Sequence, residues 1–242
     1  MAGDNGQLPA RATRFRAARR MRSWWLYGGT PVRQEAWQGQ GPRTPLTALR
    51  EAATTGEHKP LVPGEAWRAV ATSFLSTFAL LARHRVRLPK ERQEMRLRFA
   101  DGTSARVYRE TRLGSGSAKD PCTLVVTFRL RLVRGPTHAL FRAESLLNTP
   151  LFVGFPGFTS KLWLTHDEHD RYRGVYEWDG PERAEHHARS LWRVLALVSV
   201  PGSISYAVVP ALRRDDVIAD PGLIENIAPH DTAAWWRIQA GT

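Results

Sequence analysis

From residue 121 onward the hydrophobic pattern switches between a period of two and a period near 3.6, and these switches order the C-terminal half of the chain. Leu124, Val126, Phe128, Leu130 and Leu132 alternate with Thr123, Val125, Thr127, Arg129 and Arg131, which predicts a strand beginning at Cys122. Gly135-Pro136 opens a helix with Leu140, Ala143 and Leu147 inward, and Asn148-Thr149-Pro150 closes it. A Pro156-Gly157 turn leads to a second strand, residues 158–165, and a polar turn from His166 to Asp170 leads to a third, residues 172–178. Asp179-Gly180-Pro181-Glu182 combines a capping residue, a first-turn proline and a first-turn carboxylate. It starts a helix that buries Ala184, His187, Ala188, Leu191, Trp192, Leu195 and Val198 and stops before Pro201-Gly202. A fourth strand covers residues 204–209. This β-α-β-β-α-β order specifies an α+β unit over residues 121–212, a four-stranded antiparallel sheet with two helices on one face. Its other face is too apolar for water, so a homodimer joined through the sheets is expected to cover it.

Ahead of this unit, residues 63–113 predict a helix and a β-hairpin. Trp67, Val70, Ala71, Phe74, Leu75, Phe78, Leu81 and Ala82 recur at three- and four-residue steps, opposite Arg68, Thr72, Ser73, Ser76 and Arg83. This stripe is expected to pack on the following domain. Met95, Leu97 and Phe99 form one strand, Asp101-Gly102 the turn, and Ala105, Val107 and Arg109 the return. Gly114 to Ser117 reads as a flexible linker. Residues 1–62 lack sustained periodicity and read as a mostly irregular basic leader, with a short helix near 46–53; residues 213–242 form a C-terminal tail.

The formal charge of +12 makes this a basic protein and raises nucleic acid as a partner. Arginine supplies most of it, the only lysines being Lys59, Lys90, Lys119 and Lys161, a bias typical of GC-rich coding, and nucleic acid is not expected. The concentrated part is the arm from Arg11 to Tyr27, where arginines precede Trp24, Trp25 and Tyr27 and suit peripheral contact with a membrane surface or polyanion. A lone Cys122 excludes an internal disulfide, and no apolar run approaches the roughly 20 residues of a membrane span. A cytoplasmic location is the expectation.

Phe155-Pro156-Gly157, Lys161-Leu162-Trp163, Gly174-Val175-Tyr176-Glu177-Trp178 and Ser203-Ile204-Ser205-Tyr206 together resemble the YdhR-type monooxygenase family of the dimeric α/β-barrel superfamily. The resemblance covers roughly the last two fifths of the chain. It implies a ferredoxin-like dimeric α/β barrel, here with an N-terminal helix and hairpin extension, and a cofactor-independent oxygenase acting on an apolar, aromatic or polycyclic small molecule. It also leaves open a haem-binding barrel or a non-catalytic dimeric scaffold, since the superfamily hosts several chemistries.

In such an architecture inward polar residues beneath the helices are the candidates. His187 suits a general base or an axial iron ligand. Glu144 and Asn148, four residues apart on one helix side, suit a second base and a carbonyl-orienting donor. Trp163, Tyr176, Trp178, Trp192 and Tyr206 are candidates for an aromatic substrate wall. The cluster His166, Asp167, Glu168, His169 and Asp170 reads as a solvated turn rather than a metal site, and Arg129 and Arg131 as charge partners of Glu177. No cofactor is expected, because no phosphate loop, dinucleotide fingerprint, nucleophile elbow or zinc motif occurs.

Overall fold

In the computed structural model, which describes residues 59–114, 118–131, 149–225 and 235–242, the alternating segments are strands of one antiparallel sheet. The described residues belong to one compact unit, Pro42–Thr242. The central strands are β4 (Pro121–Arg129), β5 (Phe158–Leu164), β6 (Arg171–Asp179) and β7 (Ser205–Pro210), in the spatial order β7-β4-β6-β5. β4 pairs with β6 from Pro121↔Asp179 to Arg129↔Arg171, and its other edge takes β7 from Cys122↔Pro210 to Thr127↔Ser205. Strict alternation along β4 therefore sends Cys122, Leu124 and Val126 to one face and Val125 to the other.

The sheet continues past β5 into the N-terminal hairpin and the C-terminus. β3 (Ser104–Leu113) pairs with β5 along residues 107–112 and with β2 (Arg96–Phe99) along residues 104–106, changing register between Val107 and Arg109. β8 (Ile238–Gly241) adds to β2, and β1 (Val86–Arg87) to the end of β3. Gly102, with φ of 81°, sits in the hairpin turn, where only glycine reaches a positive φ without strain. Asp101 Oδ1 accepts hydrogen bonds from the backbone N–H and the hydroxyl of Thr103, locking the same turn.

Three helices lie on one face: α1 (Pro63–Ala82), the short α2 (Pro150–Val153) and α3 (Pro181–Val198). Their core joins Val70, Phe152, Val153, Ala184, Ala188 and Leu191 to Cys122, Leu124, Val126 and Trp178 of the strands. The start of α3 falls where the Gly180-Pro181 signal put it, but Asp179 does not cap it. Its carboxylate instead accepts the backbone N–H groups of Lys119 and Asp120, tying β6 to the entry of β4.

Of the stripe expected to bury α1, Val70 packs inward but the large aromatic and leucine positions face outward. Ala66, Val70, Ser73 and Thr77 are buried, whereas Trp67, Phe74, Leu75, Phe78 and Leu81 are exposed. Close approach explains the choice. A Cβ on Gly154 would fall 1.9 Å from the Ser73 carbonyl oxygen, so the helix lies against α2 through its smallest side chains. The Thr77 hydroxyl donates to the carbonyl of Pro150 at 3.0 Å.

The second sheet face is buried within the chain itself. Val125, Leu162, Leu164, Val175, Ala207 and Val209 are buried against Leu97, Phe99, Ala105, Ile238 and Trp236, and against Val217 and Ile224 of α4 (Arg214–Ala219) and α5 (Gly222–Glu225). The curled hairpin and the segment read as a tail supply the apolar cover that dimerisation was expected to provide. The postulated helix over residues 136–148, the linker serines and the basic arm lie outside the described residues. Among the described residues no helix is long and apolar enough to cross a membrane.

Two buried ionic clusters pin this second layer. The Arg173 guanidinium donates to Asp167 at 2.6 Å and to Asp101 at 2.7 Å, its side chain and that of Asp167 both fully buried. Arg214 donates to Glu110 at 2.8 Å and to Asp215 at 2.7 Å. Burial alone would raise the pKa of Glu110, but the charge of Arg214 and the hydrogen bonds from Arg112 and Arg214 outweigh it and hold the carboxyl below its usual value. Glu177 pairs with Arg213 rather than with Arg129 or Arg131, and Arg131 donates to the carbonyls of Ala196 and Leu197 at the end of α3.

Candidate functional site

The chemistry-bearing residues of the helix-covered face come from four neighbouring elements: β3, β5, β6 and α3. On β5, Lys161 and Trp163 are two residues apart; the Lys161 Nζ lies 3.2 Å from the centroid of the Trp163 ring, 3.8 Å from that of Phe152 and 4.7 Å from that of Tyr176. Lys161 is only 4% exposed. Burial drives its pKa well below 10.5, and the like charge of Arg109 pushes it further the same way. The three rings oppose that shift through their negative faces, but contacts worth about 2 kcal/mol when desolvated do not offset removal of an ammonium from water.

Gly174, the cross-strand neighbour of Trp163, makes room for this arrangement. A Cβ there would fall 2.8 Å from Tyr176 Cε2 and 3.1 Å from both Lys161 Cε and the Tyr176 hydroxyl, so the amine and the phenol converge over a position that has no side chain. Burial raises the pKa of Tyr176, keeping its phenol a neutral donor. Trp163 is fixed by donating its Nε1 hydrogen to Thr111 at 3.0 Å, and the Arg109 guanidinium packs over its ring at 4.0 Å. Burial lowers Arg109 to about 10.

Lys161, Trp163 and Tyr176 open onto a cavity of about 190 Å³ whose wall is mostly apolar: Phe128 and Tyr172 from the strands, Leu151 and Phe152 from α2, and Val194, Leu195 and Val198 from α3. Two larger depressions, about 410 and 340 Å³, are polar surface grooves by the His166–Glu168 turn and the Val200–Ser203 turn. Neither gathers aromatic rings around a buried titratable group as this one does. An apolar cavity with a few convergent polar groups is where a small molecule binds.

The sequence-predicted residues separate into three groups. Trp163 and Tyr176 line the cavity. His187 does not: it is fully buried behind it, its ring within 5.9 Å of Phe152, Phe155, Tyr176 and Trp178, and neither nitrogen has a hydrogen-bond partner among the described residues. Burial, then the charge of Lys161, then His186 hold its pKa well below 6.5, so the imidazole is neutral. An axial iron ligand must present a nitrogen to open space, so the haem alternative does not fit this enclosed ring. Trp178 lies deeper in the core against Phe158, and Trp192 packs edge-on to Tyr206 at 6.3 Å, away from the cavity wall. Burial and Glu185 raise the Tyr206 phenol to about 12. Glu144 and Asn148 lie outside the described residues.

Lys161 and Arg109 were not among the candidates. In Phe158–Leu164 Lys161 shares its parity with Thr159 and Trp163, so alternation reads it as an outward residue, and only the structure shows both parities covered. The His166–Asp170 turn has a structural task, because Asp167 accepts the backbone N–H groups of His169 and Arg171 while pairing with Arg173. Among the described residues no three His, Cys, Asp or Glu side chains group as metal ligands.

No protein-family model and no curated protein matches this sequence. Among solved structures the chain is similar to an uncharacterized ferredoxin-fold protein from Listeria monocytogenes, described as related to antibiotic biosynthesis monooxygenases. The likeness has a TM-score of 0.32 at 18% identity and covers 45% of this chain; the chain spans 64% of that protein's length. The fold is therefore stated from this chain's own strands: mixed α and β, with an antiparallel curled sheet.

Proposed function

We propose that this chain is a monooxygenase-like enzyme that acts without a cofactor on an apolar aromatic small molecule held in the cavity of Trp163, Phe152 and Tyr176. The observation that supports this reading is a buried amine at the wall of a water-poor aromatic cavity, beside a neutral phenol. In a dry site a neutral amine is a competent base near neutral pH, and a phenol donor stabilises the enolate formed when the base takes a proton. Lys161 takes the base role first assigned to His187, whose nitrogens do not reach the cavity. Oxygen then adds to the carbanion carbon, and the hydroperoxide loses water to leave a carbonyl: one oxygen atom enters the product and the other leaves as water.

The test is oxygen uptake with a single-ring ketone carrying an activated methylene, such as phenylacetone, followed with an oxygen electrode. Uptake should fall about 100-fold in Lys161→Met and about 10-fold in Tyr176→Phe, within the range of general acid–base contributions. Uptake equal to the wild type in both variants removes the proposal.

A further inference from the structure

Lys161 is also placed to do something that proton transfer does not need. Its Nζ is at the cavity wall, held by three rings rather than by a carboxylate ion pair among the described residues, and its Cε and the Tyr176 hydroxyl pack side by side over Gly174, each 3.1 Å from where a Cβ would sit. We propose that the cavity captures apolar aldehydes or ketones covalently, with Lys161 Nζ as the nucleophile and the Tyr176 hydroxyl as the donor to the carbonyl oxygen.

The nitrogen lone pair attacks the carbonyl carbon, and the C=O π pair moves onto oxygen, which takes a proton to give a carbinolamine. That hydroxyl then leaves with a further proton while nitrogen forms the second bond to carbon. The amine's two hydrogens depart with the carbonyl oxygen as one water molecule, and an imine remains. No oxidant or reductant is consumed. A lysine desolvated in a hydrophobic pocket next to another cation is a known way to activate an amine, and Arg109 supplies the neighbouring charge over the Trp163 ring. An apolar cavity of about 150 Å³ holds benzene. The roughly 190 Å³ here suits a single substituted ring.

This inference rests on the cavity being a small-molecule site, as proposed above, but not on any oxygenation. The chain contains four lysines, and Lys59, Lys90 and Lys119 are exposed, so the protein carries its own controls. The full chain is incubated at pH 7 with benzaldehyde and cyanoborohydride, which reduces any imine to a stable benzylamine, and the four lysines are quantified by peptide mass mapping. Lys161 should be benzylated about tenfold or more faster than the other three, one pKa unit of depression giving about tenfold more free amine. Toluene, the same size without a carbonyl, is tested for binding in parallel by saturation-transfer NMR. Toluene bound with Lys161 unmodified overturns the nucleophile and leaves the cavity site standing; toluene unbound with Lys161 unmodified overturns both. Lys161→Met should keep toluene binding while losing the fast-labelling site. Gly174→Ala, whose Cβ crowds the amine and the phenol, should slow labelling without removing the lysine.

Discussion

Taking one lysine out of water raises the energy of its charged form, and that cost is measurable in the whole protein. In the unfolded chain Lys161 is protonated at pH values below about 10.4, whereas burial holds the folded pKa well below that value, so between the folded pKa and about 10.4 the unfolded state holds the extra proton. Stability from this site therefore rises as pH climbs toward 10.4 and is diminished at pH 7. Lys161→Met is expected to raise Tm at pH 7, at about 2–4 °C per kcal/mol for a chain of this size, and to raise it less at pH 10. A melting series at the two pH values checks this; a lower Tm at pH 7 would mean the rings hold a stable ammonium. A residue that weakens the fold and lines a cavity is placed as functional groups are. His187 acts in a different window. Its folded pKa is depressed below 6.5, so its contribution is complete above pH 6.5 and is lost as pH falls toward the folded value, by up to about 1.4 kcal/mol per pH unit. His187→Leu should flatten the loss of stability between pH 6.5 and 5 in denaturant titrations.

At the scale of elements, α1 shows how packing geometry overrides hydrophobic periodicity. The period correctly predicted a helix, and the sum of side-chain hydrophobicity pointed to the wrong face, because Ser73 and Thr77 permit a contact with Gly154 that Phe74 and Phe78 would block. Gly154→Ala must separate α1 from α2 or distort a backbone; overpacking of this kind costs about 1–3 kcal/mol. Urea unfolding should report that loss, and hydrogen exchange should speed up along residues 66–77 of α1 more than in the sheet. Residues 158–164 and 171–179, by contrast, were legible as strands with nearly their observed ends, since turn residues bound them on both sides. Lys161 escaped notice for the same reason that it matters: a lysine in a strand is ordinarily read as an outward residue, and only coverage of both faces forces it in.

For Pro42–Thr242 as a whole, the second sheet face is closed within one chain. β8 and Trp236 complete a layer that also contains Leu97, Phe99, Val107 and Val217. A chain ending at residue 225 should expose that layer, bind a hydrophobic dye such as ANS in its native baseline, and lose several kcal/mol, since Trp-sized deletions from a core cost about 3–5 kcal/mol. Unchanged dye binding and stability would show that the C-terminal strand is dispensable. Removal of one partner from the Arg214–Glu110 pair should also destabilise the fold, because the remaining buried charge keeps only its secondary contacts, Arg112 for Glu110 or Asp215 for Arg214.

Sequence alone determined the order of β4, β5, β6, α3 and β7, the hairpin at Asp101-Gly102 and the start of α3, because each depends on neighbours within a few residues: period, turn chemistry and first-turn proline. Tertiary structure decided which face of α1 is buried, what covers the second face of the sheet, that His187 is sealed away and that Lys161 reaches the cavity. Those outcomes depend on contacts between segments tens of residues apart, where the space left by Gly154 and Gly174 and the cover supplied by β8 count for more than the hydrophobicity of any one element.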